Sequence, residues 1–218
     1  MSEPKARATA PPRPLRGLYL ITPDDTDTTR LVERTSAVIG HASLLQYRNK
    51  QATPSLAAEQ LAALRPLCRA HGVPLLVNDD WRLARDAGAD GVHLGEDDGD
   101  LRAARAALGS GAVIGASCYD SLALARAAAD AGASYVAFGA CFPSPTKPAA
   151  RRVPAGLLRD AGALGLPVVA IGGITPDNAR GVVEAGADMV AVISGVFDAH
   201  DPVVAARAYR QAFDPAGT

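Results

Sequence analysis

Asp86-Ala87-Gly88-Ala89-Asp90, Asp130-Ala131-Gly132-Ala133-Ser134 and Glu184-Ala185-Gly186-Ala187-Asp188 are three versions of one phrase, each followed two residues on by a valine. The acid and the alanine finish an amphipathic helix, the glycine supplies the left-handed turn that a helix exit favours, and a short β-rich apolar run begins at once. Each phrase marks a passage from helix to buried strand, so function is expected where the strands end. Polar residues stand there: Gly95 to Asp98 after the first phrase, Ser144 to Lys147 after the second, and Ser194-Gly195 after the third.

Outward from these phrases, strand-like runs lie near Leu18 to Ile21, Leu44 to Tyr47, Pro74 to Val77, Gly91 to Leu94, Val113 to Gly115, Tyr135 to Phe138, Val168 to Ile171 and Met189 to Ile193. Between them, stretches such as Ser55 to His71, Leu101 to Leu108, Ser121 to Ala131 and Asp177 to Ala185 carry Ala, Leu, Arg and Glu at helical spacing. Eight alternating units imply parallel strands with right-handed crossovers. That pattern predicts an α/β fold, a (β/α)8 TIM barrel with its active site on the carboxyl-end loops. An open doubly wound sheet is the structural alternative. The expected division is a flexible tail over residues 1–16, where Pro11, Pro12, Pro14 and several Arg show no apolar periodicity, and one catalytic barrel domain over 17–214.

With 218 residues, 48% hydrophobic, 21% charged and a net charge of −1, the chain suits a soluble globular protein with no general attraction to nucleic acid or anionic membrane. No apolar run approaches a membrane span and the amino terminus has no signal-peptide core, so a cytoplasmic location is expected. An anionic ligand needs a local site. Cys68, Cys118 and Cys141 are odd in number and lack zinc-ligand spacing, which predicts reduced thiols near packing positions. The chain has nineteen Arg but only Lys5, Lys50 and Lys147. The last two fall in strand-end loops, where a compact ammonium differs chemically from a guanidinium.

Several strand ends carry chemistry. Gln46, Arg48 and Lys50 alternate, so they share one face while the chain stays extended, either as a clamp for a polyanion or as a solvated loop. Asn78-Asp79-Asp80 and Gly95-Glu96-Asp97-Asp98 end the third and fourth strands, and if these strands are neighbours their carboxylates come within reach of one ion. Their sparse carboxylates suit Mg²⁺, which leaves positions to water and phosphate; helix capping is the other use of such residues. His93 is expected to pack or hydrogen-bond within the barrel. The loop Gly139 to Pro148 is stiffened by three prolines and offers Ser144, Thr146 and Lys147 to an anion, or else is a polar surface loop. Gly172-Gly173 and Ser194-Gly195 follow the seventh and eighth strands, where backbone N–H groups bind phosphate in this architecture.

In order along the chain, Tyr19-Leu20-Ile21-Thr22, Gln46-Tyr47-Arg48-Asn49-Lys50, Asn78-Asp79, His93-Leu94-Gly95, Gly115-Ala116-Ser117, Pro143-Ser144-Pro145-Thr146-Lys147, Gly172-Gly173-Ile174 and Val192-Ile193-Ser194 closely resemble the thiamine-phosphate synthase family from about Leu18 to Phe213. The resemblance implies Mg²⁺-assisted joining of hydroxymethylpyrimidine diphosphate to hydroxyethylthiazole phosphate, or its carboxylate form, with release of pyrophosphate. It implies that Gln46, Tyr47, Arg48, Asn49, Lys50 and Asn78 hold the pyrimidine diphosphate, that Asp79 and Asp98 bind Mg²⁺, and that Ser117 and Lys147 contact the departing pyrophosphate. Ser144, Pro145, Thr146, Gly173, Ile193 and Ser194 would hold the thiazole phosphate. Lys147, helped by Arg48 and Lys50, would stabilise the leaving charge. The position of Asn49 is commonly acidic in the family, and Arg often stands where this chain has Asp80.

The thiazole nitrogen already has a lone pair and the leaving group is already ionised, so this chemistry needs no general base. Its partners are two small molecules, with a homo-oligomer left open. Three rivals carry discriminating tests. A thiazole tautomerase would release no pyrophosphate. A Schiff-base aldolase on Lys147 would be trapped by borohydride. A non-catalytic thiamine-phosphate sensor would bind without turnover.

Overall fold

The computed structural model describes residues 15–143 and 152–215. Among them, eight strands alternate with helices: β1 (Gly17–Ile21), α1 (Thr28–Val38), β2 (Ala42–Tyr47), α2 (Pro54–His71), β3 (Leu75–Asn78), α3 (Trp81–Ala87), β4 (Gly91–Leu94), α4 (Leu101–Leu108), β5 (Val113–Tyr119), α5 (Leu122–Asp130), β6 (Tyr135–Phe138), α6 (Leu157–Gly162), β7 (Val168–Ile171), α7 (Pro176–Glu184), β8 (Met189–Val192), α8 (Ser194–Phe197) and α9 (Pro202–Gln211). Each strand pairs in parallel with the next, and β1 also pairs with β8, closing the sheet. The fold is the expected TIM barrel, and closure removes the open-sheet alternative.

The repeated phrase does more than end a helix. Its glycines, Gly88, Gly132 and Gly186, all have positive φ, so the chain leaves each helix through a conformation that costs glycine least. The polar residue that closes each phrase then caps a strand. Asp90 Oδ2 accepts the Leu75 N–H at 2.8 Å, Ser134 Oγ accepts the Ile114 N–H at 3.0 Å, and Asp188 Oδ2 accepts the Val168 N–H at 2.9 Å. The backbone N–H groups of the same three residues bond back to the carbonyls of Leu75, Ile114 and Val168. The phrase thereby clasps β3 to β4, β5 to β6 and β7 to β8 at the amino-terminal end of the barrel.

Period-two alternation along the strands divides the core. Leu18, Leu20, Leu45, Val77, Val92, Ile114, Val136, Val168 and Val190 face outward onto the helices. Helix α2 meets them with Ala57, Gln60, Leu61, Leu64 and Cys68, an apolar stripe interrupted by one glutamine. Tyr19, Ile21, Leu44, Leu76, Tyr135, Ala137, Val169, Met189 and Ala191 fill the interior. Burying each large apolar side chain is worth ~1.5–3 kcal/mol. Cys68 and Cys118 are buried free thiols and Cys141 is a half-buried one.

One boundary moves with consequences for the site. The fifth strand runs past Gly115 to Tyr119, held in register with β6 through Ser117↔Ala137 and carried on by a bulge between Ser117 and Tyr119. Ser117 is therefore an inward-facing strand residue, not part of a loop.

Candidate functional site

At the carboxyl-terminal mouth the first two loops are tied together by acids that sequence reading had passed over. Asp25 is buried and receives a two-point contact from Arg30, Nε to Oδ2 at 2.9 Å and Nη2 to Oδ1 at 2.5 Å, which holds its carboxyl below the usual range. Its carbonyl accepts the amides of Asn49 and Gln60 at 2.6 and 2.9 Å. Asp24 takes Arg48 Nη1 at 3.1 Å and the Lys50 backbone N–H at 2.9 Å. The pair of aspartates after Thr22-Pro23 was the available signal: two acids at a strand end facing a loop with two cations.

These contacts also decide the fate of the second loop. β2 ends at Tyr47 and the chain turns, so Gln46, Arg48 and Lys50 do not continue as one extended face. Gln46 is buried in the barrel, Arg48 is half-buried beside Asp24, and Lys50 is exposed. Tyr47 points outward, its hydroxyl donating to Gln60 Oε1 at 2.7 Å beneath α2. The Asn49 amide is occupied by Asp25, Gln60 and the Gln51 N–H. The side chains of Tyr47 and Asn49 thus brace the loop instead of joining the others at the mouth.

Asp79 and Asp98 do come together. Asp80 caps α3 through the N–H groups of Arg82 and Leu83, and Asp100 caps α4 through that of Arg102, so capping falls to the neighbours of the two central acids. Asp79 adopts φ 66°, an uncommon conformation for a residue with a side chain, and strain of this kind gathers at functional sites. Asp98 folds back over Gly95, whose N–H donates to Oδ2 at 2.8 Å. Glu96 and Asp97 are exposed. Burial, the hydrogen bond that the protonated form donates to Asp98, and the charge of Asp98 push the Asp79 carboxyl up to about 6, while Lys50 and Arg48 pull the other way. Two crowded carboxylates flanked by two cations form a charged rim.

Beneath that rim lies a polar floor. Tyr19 donates to Gln46 Oε1, and Gln46 Nε2 donates to Asn78 Oδ1 at 2.5 Å. The hydroxyls of Tyr19 and Tyr135 are 2.8 Å apart, Tyr135 lies 2.8 Å from His93 Nδ1, and Ser117 Oγ lies 2.9 Å from His93 Nε2. Tyr135 reaches His93 by crossing Gly115, where an added Cβ would sit 2.0 Å from the ring, and it stacks on the imidazole with centroids 5.7 Å apart. Burial pushes His93 down to about 4, so the imidazole is neutral near pH 7, and raises both tyrosines above their ordinary range. His93 hydrogen-bonds within the barrel, as expected. Tyr135 and Tyr119, like Asp24 and Asp25, are marked by no local motif; Tyr119, at φ 52° and 40% exposed, stands on the rim near Gly95.

Across the mouth, Gly172 and Gly173 have positive φ, and a Cβ on Gly173 would meet the Pro143 carbonyl oxygen at 2.6 Å. This packs the β7 loop against the start of the β6 loop. Ile193 follows β8 and caps α8, which begins at Ser194, so the N–H groups of Ser194 and Gly195 precede the first intrahelical bonds, which Val196 and Phe197 make to Ile193. Tyr209 donates to the Ile174 carbonyl at 2.8 Å over Gly195, joining the two loops. A short extra helix after the eighth strand is the recurrent phosphate-binding device of this architecture. Ser144, Pro145, Thr146 and Lys147 lie outside the described residues.

Gln46, Arg48, Lys50, Asn78, Asp79, Asp98, Ser117, Gly173, Ile193 and Ser194 are all set at or just below one mouth. Among the described residues no group of three or more His, Cys, Asp or Glu could form a metal cage, and no helix is long and apolar enough to cross a membrane. A pair of carboxylates is nevertheless the donor set expected for a cation that retains water and phosphate ligands, and the burial and the Asp98 repulsion that together lift Asp79 are what such a cation would offset.

Residues 18–196 match the family described as thiamine monophosphate synthase. Thiamine-phosphate synthase from Xanthomonas campestris pv. campestris is 60% identical over 198 residues, 91% of this chain and 96% of that one. The enzyme of the same name from Methylobacillus flagellatus is 58% identical over 202 residues, 92% and 97% of the two chains. The solved thiamine phosphate pyrophosphorylase from Pyrococcus furiosus superposes with a TM-score of 0.80 at 34% identity, covering 91% of this chain and 95% of its own. A 3-hexulose-6-phosphate synthase, at 21% identity and a TM-score of 0.68, shares the fold.

Proposed function

We propose, since this chain belongs to the thiamine monophosphate synthase family, that it joins hydroxymethylpyrimidine diphosphate to hydroxyethylthiazole phosphate, releasing pyrophosphate. The chain is a transferase that makes thiamine phosphate; the substrate pair, the course of the reaction and the residue roles are our reading. One observation carries it: the Asp79–Asp98 pair lies within electrostatic reach of Arg48 and Lys50, at the mouth floored by Gln46, Asn78 and Ser117. Such a site suits a polyanion attached to a polar heterocycle.

The reaction needs placement and charge stabilisation more than proton transfer. The carbon–oxygen bond to the diphosphate breaks, its electron pair leaves with pyrophosphate, and the neutral thiazole nitrogen then bonds to the pyrimidine methylene carbon. Gln46 and Asn78 orient the pyrimidine, Arg48 and Lys50 meet the diphosphate, and the N–H groups at Gly173 and Ser194 hold the thiazole phosphate. We assign Asp79 and Asp98 to Mg²⁺; bound there, the ion supplies positive charge to the diphosphate. Lys147 is the further cation for the departing group. Lys147→Ala is expected to lower turnover by roughly 10²-fold, as loss of one preorganised donor does; steady-state kinetics at saturating substrates measure it, and wild-type turnover removes the role.

The Ser117–His93 contact resembles a nucleophile and its base. It favours acyl transfer only on the surface, because the imidazole is held too weakly basic to deprotonate serine and its second nitrogen meets a tyrosine instead of a carboxylate. The deciding assay mixes both substrates with Mg²⁺ and quantifies thiamine phosphate and pyrophosphate. Equal yields of the two support the reading; release of neither product overturns it.

The raised Asp79 carboxyl also sets a pH dependence. A group whose folded pKa lies above its unfolded value stabilises the fold at low pH and ceases to do so as pH rises, here through about 6. Mg²⁺ requires the ionised form and offsets the lost stability. The rise in Tm produced by Mg²⁺ is therefore expected to be larger at about pH 7.5 than at about pH 5. Equal rises in thermal melts at the two pH values would remove Asp79 from the metal site.

A further inference from the structure

Five hydrogen bonds join six residues on six strands in the order Ser117, His93, Tyr135, Tyr19, Gln46, Asn78. Each hydroxyl owns one hydrogen, and a neutral imidazole also owns one, so the run has a direction. Gln46 gives an N–H to Asn78 and receives the Tyr19 hydrogen at Oε1. Tyr19, having spent its hydrogen, can only accept from Tyr135. Tyr135 is then spent and can only accept from His93, which places the ring hydrogen on Nδ1. Nε2 is left as an acceptor, and Ser117 must be the donor. At the far end the Asn78 N–H₂ group has no partner among the described residues and is the donor left for a ligand.

The opposite direction satisfies the same five contacts. Asn78 then donates to Gln46 Oε1, Gln46 donates to Tyr19, Tyr19 to Tyr135, Tyr135 to His93 Nδ1, and His93 Nε2–H to Ser117, whose own hydrogen is free to point into the mouth. Hydrogens balance. Two amides and three hydroxyls turn, while the imidazole releases one hydrogen from Nδ1 and takes one at Nε2 by exchange with water, remaining neutral throughout. A mixed arrangement leaves at least one buried contact with two hydrogens or none, or a buried hydroxyl hydrogen with no acceptor, which is costly in the interior.

We propose that His93, Tyr135 and Tyr19 are positioning residues that tie the hydrogen-bonding polarity of Ser117 to that of Asn78 across the barrel, and that an anion drawing the Ser117 hydrogen outward reverses the run and switches the His93 tautomer. The inference rests on the proposed function only in taking pyrophosphate as that anion. Gly115 makes the coupling possible, since a side chain there would stop Tyr135 from reaching His93.

The test is nitrogen-15 NMR of histidine-labelled protein, with His93 assigned by the signal lost in His93→Gln, and with Mg²⁺ and inorganic pyrophosphate as the probe. Free wild-type protein is expected to show the Nδ1–H tautomer. Free Tyr135→Phe is expected to show Nε2–H, because the phenyl ring cannot accept a hydrogen bond. Tyr19→Phe is expected to do the same, because it releases the Tyr135 hydrogen to Nδ1. Wild-type protein saturated with pyrophosphate is expected to exchange the protonated and unprotonated nitrogen signals. Nε2–H in the free wild type, Nδ1–H retained in whichever of the two variants folds, or an unchanged tautomer once calorimetry shows pyrophosphate bound, each overturns the proposal. Absence of pyrophosphate binding counts against the proposed function instead, and the ligand-free comparison still decides the direction of the run.

Discussion

Gly115→Ala is expected to yield a protein that is largely insoluble or melts at least roughly 6–12 °C below wild type, because the new methyl group has nowhere to go. Its Cβ would lie 2.0 Å from Tyr135 Cζ and 2.2 Å from the hydroxyl oxygen. The Tyr135 ring is hemmed in: Tyr19 meets it edge-on at 5.9 Å between centroids and His93 stacks on it at 5.7 Å. Overpacking of a dense core costs ~1–3 kcal/mol when neighbours can shift, and here they are also hydrogen-bonded in place, so the upper end is the minimum. The cause is checked by a double variant. Gly115→Ala with Tyr135→Leu removes the atoms in conflict and should lose less stability than the two single changes added together. Strict additivity in denaturant titrations would show that the glycine matters for another reason.

Asp79→Asn is expected to lower turnover by about 10²-fold or more while leaving Tm unchanged or higher. Asparagine keeps the shape of the side chain and is among the few residues at ease with the φ of 66° found there, so the backbone should hold. What changes is charge. The ionised carboxylate is crowded by Asp98 and partly withdrawn from water, and replacing it removes that repulsion along with the proposed metal ligand. Loss of activity joined to retained stability separates a functional residue from a structural one. Turnover within twofold of wild type across a Mg²⁺ titration would remove the assignment.

The fold was legible because its signals are local. A helix exit through glycine followed by a β-rich run can be read wherever it occurs, and it occurs three times. Gln46, Asn78 and His93 were legible as site or interior residues because period-two alternation fixes which strand residues face inward. Other features depend on residues distant in sequence. Arg48 looks like a free cation until Asp24 is seen beside it, and Lys50 leaves the shared face because Asp24 takes its backbone N–H. Nothing local distinguishes Asp98 from Glu96 and Asp97; the turn that returns its carboxylate to the Gly95 N–H does. Tyr135 resembles any buried aromatic residue on a strand, and its part on the floor follows from a glycine twenty positions earlier on the adjacent strand.

The clasps made by Asp90, Ser134 and Asp188 divide the cylinder unequally. Each one fastens an odd strand to the even strand that follows it, which makes three of the four consecutive strand pairs self-contained hairpin-like units of construction. A gene severed after β4 or β6 would encode two pieces that each retain whole clasps, whereas one severed after β3, β5 or β7 would leave the two halves of a clasp on different polypeptides. Reassembly of split versions is accordingly expected to favour the even-numbered breaks.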